Sequence, residues 1–367
     1  MVMRTLICIG LLATAFSSCM TKGARTLSEV STTGDGKAHY LEPVPLNRFP
    51  MPSITQNTVT GQPAVELVQK RNGVDYGLRP FANEAQIRGL IKPGDVAIYY
   101  NLLTKNSTPM NIAQWGMYHA ATVVHNRPFA GAPKKIDESL PDDALCFVHA
   151  GQGADCDIWV YTHFFRVNYN DPETAATVAE MAGRTIDVVK YDASFTTEIL
   201  NNNNTLDKTT FAAVKEGNVP AMYCSELPYT LHSTMTEAPL FPGKYVSDIV
   251  TEYKDVRKMG EFACPMDTDA SVESLMKYLG QFDLKLSKSQ KYLMHTTVQQ
   301  YLADSSNSFT NFLRGSALAG IDRITGRKVM PSDFVKAFHQ GNAHLTYIGS
   351  WEANAAPKDD QCGAAEH

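Results

Sequence analysis

The sequence has no long run of one charge and no basic stripe. Its formal charge of −5 is spread along 367 residues, so nothing is placed to neutralise a row of phosphates and no nucleic-acid partner is expected. It has neither a glycine-rich phosphate loop nor a Gly-x-Ser-x-Gly elbow, which argues against nucleotide and serine-hydrolase chemistry. It also lacks a His-Glu-x-x-His helix and any finger-like pair of ligands. His149, Cys156, Asp157 and His163 are close in sequence but lack the spacing of a zinc site, and neither a metal nor a cofactor is expected. No internal repeat is present, and no apolar run reaches the ~20 residues that cross a bilayer.

The first residues read as a targeting segment instead. Arg4 gives a positive start, Leu6 to Phe16 is apolar or small, and Ser17, Ser18 and Cys19 supply a cleavage region, the pattern of an export signal over 1–19. Phe16-Ser17-Ser18-Cys19 resembles the lipobox of bacterial lipoproteins, with Phe where Leu is usual. That resemblance implies lipid on Cys19, membrane attachment through it, and residence at the outer membrane facing the periplasm or the cell surface. Cys146, Cys156, Cys224, Cys264 and Cys362 then remain in the mature part. An odd number leaves at least one thiol unpaired unless two chains are bridged.

Residues 20–80 are expected to form a tether and an arm lying on the domain, being rich in Thr, Ser, Gly and Pro in their first part. Glu84 to Leu90 predicts a short helix, and Lys92-Pro93-Gly94-Asp95 a turn. Strands are predicted at Val96 to Tyr100, Ala120 to Val124, Leu145 to Ala150 and Ile158 to Val167, where β-branched and aromatic residues concentrate. Asp171 and Pro172 mark a helix start. Cys224 to Leu231 predicts the opening of another. From about 237 to 325 the pattern is mostly helical, with helices over Ser271 to Leu279 and Ser287 to Leu302, the second opened by a Ser-x-x-Gln capping box. Met330-Pro331-Ser332-Asp333-Phe334 opens a last short helix, Leu345 to Ile348 a closing strand, and 350–367 a tail. This order predicts an α+β fold with a mainly antiparallel sheet over 81–349.

Cys224 is the sharpest candidate for chemistry. An unperturbed thiol is only ~3% thiolate at pH 7, and a helix start and a nearby imidazolium both favour the anion. The alternatives are a buried apolar cysteine or half of a disulfide. His119 is expected to begin a strand, where its backbone would hold it as a base. His125, six positions on, shares that face but lies too far along the strand for the same site. His149 on the next strand can hold the second ring nitrogen of His119, with Asp155, Asp157 and His163 as less well placed rivals.

Three separated pieces carry a family resemblance. Pro93-Gly94-Asp95-Val96-Ala97-Ile98-Tyr99, Tyr118-His119-Ala120-Ala121-Thr122-Val123-Val124 and Met222-Tyr223-Cys224-Ser225-Glu226-Leu227 resemble, in this order, permuted proteins of the NlpC/P60 superfamily. The YiiX/YaeF-like group of lipoproteins and cysteine peptidases is the nearest kind. The resemblance covers roughly 85 to 232 and 328 to 349. It implies a circularly permuted papain-like fold, an antiparallel sheet or small barrel packed on helices, with a large helical insertion at about 237–325. It implies Cys224 as nucleophile, His119 as base, and Tyr223 and the Cys224 amide at the oxyanion. His149 stands where many relatives place Glu, and Glu226 reads as structural. The implied activity is hydrolysis of an amide in a cell-wall or other envelope peptide through a thioester. An acyl hydrolase or acyltransferase acting on lipid, or an inactive lipoprotein that binds an envelope ligand, are the alternatives.

Overall fold

The computed structural model describes residues 40–43, 65–68, 91–100, 114, 117–156, 162–169, 171–192, 199–201, 203–215, 221–258, 276, 286–303 and 308–352. The export signal with Cys19, the helix expected at Glu84 to Leu90, Asp157, Cys264 and Cys362 all lie outside the described residues, as does the helix expected at Ser271 to Leu279 apart from Met276.

Among the described residues eight strands form one sheet: β1 (Tyr40–Pro43), β2 (Val65–Val68), β3 (Val96–Tyr100), β4 (Met117–His125), β5 (Leu145–His149), β6 (Gly153–Asp155), β7 (Thr162–Val167) and β8 (Leu345–Glu352). They lie in the order β1-β2-β8-β7-β3-β4-β5-β6. Every pair is antiparallel except β2 with β8. The helices are α1 (Pro172–Thr185), α2 (Lys208–Lys215), α3 (Glu226–Thr236), α4 (Val246–Lys258), α5 (Lys288–Ala303), α6 (Ser308–Thr325) and α7 (Pro331–His339). The fold is α+β with a mainly antiparallel sheet, as the order of elements predicts.

Alternation decides which face the helices cover. Val96, Ile98, Tyr100, Ala120 and Phe165 share one face and pack with Tyr229 of α3 and Phe334 and Phe338 of α7. Val124 and Val148 continue that face under Val178 and Ala182 of α1 and Leu227 and Leu231 of α3. Asp171 caps α1, accepting from the Glu173 amide at 3.0 Å, with Pro172 in the first turn. At α5 the Ser287 and Gln290 side chains each accept from the other residue's amide, at 3.3 and 2.8 Å, the expected capping box.

The helical excursion that holds α4, α5 and α6 leaves and returns at one place. Lys244 and Lys328 exchange both backbone hydrogen bonds at 2.8 Å, and the Asp322 carboxylate accepts from the Ser247 hydroxyl and amide.

Three expectations need correction. β8 runs on to Glu352, because Trp351 pairs with both Thr162 and Leu67, so a tail cannot begin at 350. Strands β1 and β2 fall inside the stretch expected to be tether and arm. β4 begins at Met117 and lies between β3 and β5, so His119 is the third residue of an interior strand rather than its first.

The long connection from β4 to β5 is organised by one buried amide. Asn126 has 0% exposure. Its Nδ2 donates to the carbonyls of Asp137, Leu140 and Pro141 at 2.8 to 3.1 Å, and its Oδ1 accepts from the Asp137 amide at 2.8 Å. Asn126→Ala strands these backbone groups away from water, and the expected loss in urea denaturation is about 3 kcal/mol.

Candidate active site

The approach to Cys224 is fixed by backbone pairing. The Met222 amide donates to the Lys190 carbonyl at 2.9 Å, and the Asp192 amide to the Met222 carbonyl at 3.1 Å. The chain then turns into α3. The Glu226 carboxylate accepts from the Tyr223 amide at 3.1 Å, the reach-back of a capping box, which is the structural role expected of it. The Tyr223 hydroxyl accepts from the Val329 amide at 2.9 Å, and the Ser225 hydroxyl donates to the Val329 carbonyl at 2.9 Å. Tyr223, placed by the resemblance at an oxyanion, is thus engaged through its hydroxyl with the strand-like segment before α7.

Register places the other candidates. Tyr99 on β3 lies opposite His119 on β4. Thr122 pairs with Val148, which sets His149 opposite Ala121, one diagonal step from His119 on the same face. Phe147 pairs with Asp155, which sets Asp155 one diagonal step from His149, again on that face. Four side chains on four adjacent strands therefore form a row. His119 Nε2 and His149 Nδ1 are hydrogen-bonded at 2.8 Å, and His149 Nε2 lies 3.4 Å from Asp155 Oδ2. The Tyr99 ring stacks over both imidazoles, with centroids 5.6 and 5.9 Å away. A disulfide between Cys146 and Cys156 fastens the three-residue β6 beside β5.

The thiol meets this row through the backbone of β4. Val123 exchanges hydrogen bonds with the Gly94-Asp95 turn on the β3 side, so the period of two turns the amides of even-numbered residues toward β5. Thr122 is the last of these in register with β5. The next is Ala120, and its amide donates to the Cys224 sulfur. The thiol thus occupies the seam where β4 and β5 part, one residue from His119 along the chain. The Ser225 backbone and side chain and the Cys224 amide also lie close enough to the sulfur to favour its anion.

These donors do not make it a thiolate. Cys224 is 4% exposed and free, and burial pushes its pKa up to about 11 against the hydrogen bonds that favour the anion. The His119 imidazole is driven well below its ordinary value by burial first and by His149 second. Both groups rest neutral. A helix start supplies amides that favour the thiolate, but the desolvation of a buried sulfur is the larger effect.

The rivals are elsewhere. His163 bonds to the Tyr347 hydroxyl at 3.0 Å and stacks on Tyr100, on the helix-covered face. His125 bonds to the Asp143 carbonyl at the far end of β4. Of the grouping weighed from sequence as a zinc site, Cys156 is in the disulfide and His163 lies on the opposite face of the sheet from His149. A cavity of about 680 Å³ lies near His125, between Lys92, Arg127, Arg166, Tyr169 and Ala175, and not at Cys224. Among the described residues no helix is long and apolar enough to cross a membrane. Asp155, a less well placed rival by its place in the sequence, lies near His149, and Tyr99, given no role there, stacks over both rings. The signal for both was register, which the alternation within β3 to β5 carried only in part.

Comparison with protein-family models, with curated proteins and with solved structures finds no match for this chain.

Proposed function

We propose that this protein is a cysteine hydrolase of permuted papain-like fold that cleaves an amide bond, in a cell-wall or other envelope peptide, with Cys224 as nucleophile and His119 as base. One observation carries the reading: the only thiol described as free sits at a helix start on the amide of Ala120, the residue that follows His119, whose Nε2 is bonded to His149. In this reading the other ring nitrogen, Nδ1, takes the thiol proton. In the proposed reaction the S–H proton passes to His119 as sulfur bonds to the carbonyl carbon. The electron pair moves to oxygen, near the Cys224 amide. Collapse of the tetrahedral adduct expels the amine, which takes the proton from His119, and water then hydrolyses the thioester. With both groups neutral at rest, proton transfer accompanies attack rather than preceding it. Export and a lipid anchor at Cys19 complete the proposal, and the Cys146–Cys156 disulfide fits an oxidising compartment.

A second reading, an envelope protein that binds a ligand and whose thiol is inert, draws support from the burial of Cys224 and its raised pKa. Alkylation separates the two. Iodoacetamide labelling of Cys224 is followed by mass spectrometry from pH 6 to 10 in wild type and in His119→Gln, which keeps the side chain's bulk. The enzyme reading expects wild type to label about tenfold faster near pH 7.5, a modest share of what a general base supplies. Equal rates that rise together only toward the thiol's own high pKa would sink it and leave the binding reading.

A further inference from the structure

We infer that the cavity beside His125 is a binding site for a small organic anion, a carboxylate or phosphate carried on an apolar body. The site is separate from Cys224 and stands whether or not that thiol reacts.

The cavity exists because α1 is held close to its neighbours at two points and stands off between them. A Cβ added to Gly94 would lie 2.6 Å from the Ala175 carbonyl oxygen, and one added to Gly183 would lie 2.5 Å from the Pro128 side chain. Both approaches need a residue without a side chain. Between them α1 offers only Ala175, Ala176 and Ala179, which are too short to fill the gap, and about 680 Å³ remains open. Pockets for small molecules fall in the range of about 300–1,000 Å³. Phe129 and Val167 extend the apolar lining, so there is room for a chain of methylenes as well as a head group.

The charges favour an anion. Three carboxylates line the cavity, and each is already engaged. Asp95 accepts from Arg166 Nε and Nη2 at 2.8 Å and from the Lys92 amide at 2.7 Å. Asp171 takes the Glu173 amide and the Thr174 hydroxyl, and Glu180 is paired with Arg184. Two cations of the lining are less well matched. Arg127 shares the single charge of Asp142 with Lys135, at 2.7 and 2.9 Å. The Lys92 ammonium has no ion pair among the described residues and acts on Asp95 only at longer range. A ligand carboxylate or phosphate supplies the acceptor that these two groups lack. An amine would find every carboxylate taken.

Ligand-observed NMR titration of the full chain with octanoate, octyl phosphate, octan-1-ol and octylamine reads the selectivity. The anions should bind about tenfold more tightly than the alcohol, and the amine not at all. In Lys92→Gln anion affinity should fall about tenfold with the alcohol unchanged, the effect of one hydrogen bond to a charged group. Ala176→Trp, at an exposed position of α1, should fill the cavity and abolish binding of anion and alcohol alike. Thr177→Trp, equally exposed but outside the lining, should leave binding intact. Binding of one anion and not the other sustains the site and names its head group. The inference is overturned if neither anion binds at millimolar concentration, or if the alcohol binds as tightly as both. Anion binding indifferent to Lys92→Gln overturns it too, even if the tryptophan variant fails to fold.

Discussion

Gly151→Ala is expected to cost about 3 kcal/mol of stability and to disturb the site from outside it, combining a left-handed backbone penalty with a steric wedge. Gly151 has φ +63° in the turn between β5 and β6, two residues after His149. A Cβ built there would lie 2.1 Å from the Tyr191 nitrogen, 2.5 Å from its Cα and 2.7 Å from the Lys190 carbonyl carbon. All three are backbone atoms and cannot rotate aside. The 190–192 segment is bonded on its other side to Met222, two residues before Cys224. The wedge therefore separates the hairpin that carries His149 and Asp155 from the segment that delivers the thiol. Gly153→Ala is the matched control. Gly153 has φ +87° in the same turn, but nothing lies within 4 Å of its added Cβ, so only the conformational penalty of about 1 kcal/mol applies. Urea denaturation of both variants checks this, with native-state alkylation of Cys224 as the second readout. Equal losses in the two would mean that the turn does not bear on Tyr191.

The same turn shows where reading the sequence stops. β3 is legible to the residue because Val96 to Tyr100 is an apolar run following a Gly-Asp turn, and α1 because Asp171 and Pro172 announce it. β6 is not. Gly153-Ala154-Asp155 is too short to show a period and contains no β-branched residue, so it is a strand only because β5 and the disulfide hold it there. Asp155 reaches His149 through that pairing, and no spacing rule along the chain could have ranked it above Asp157. His149 was legible as a partner for His119 because both lie on strongly patterned strands one hairpin apart. The protonation of Cys224 was not, since a helix start is a local feature whereas burial is made by α1, α3 and the sheet together.

His232→Gln is expected to change the acid sensitivity of the fold by ~3 kcal/mol between pH 7.5 and pH 4. His232 lies on α3 with 0% exposure. Its Nδ1 is 2.5 Å from the Tyr169 hydroxyl, and the nearby Gly94 carbonyl favours its charged form. Burial lowers its pKa to about 3, more than the carbonyl raises it. The sign follows from who binds the proton. Below about pH 6.5 the unfolded chain protonates this imidazole and the native state does not, so stability present above that pH drains away as pH falls toward 3. Other groups act in the opposite direction. Burial raises Glu226 well above its ordinary value and Asp95 to about 6. Their native forms keep a proton that the unfolded chain releases, which adds stability as pH falls. The wild-type profile alone sums these effects and cannot assign them. The difference between wild type and His232→Gln removes what the two share, including the buried His119, and Gln can still accept from the Tyr169 hydroxyl. Urea midpoints across the range should show the gap between the two proteins moving by ~3 kcal/mol in favour of the variant as pH falls to 4. A constant gap would mean that water reaches His232 in the native state, and that α3 packs less tightly on the Gly94 turn than its buried ring implies.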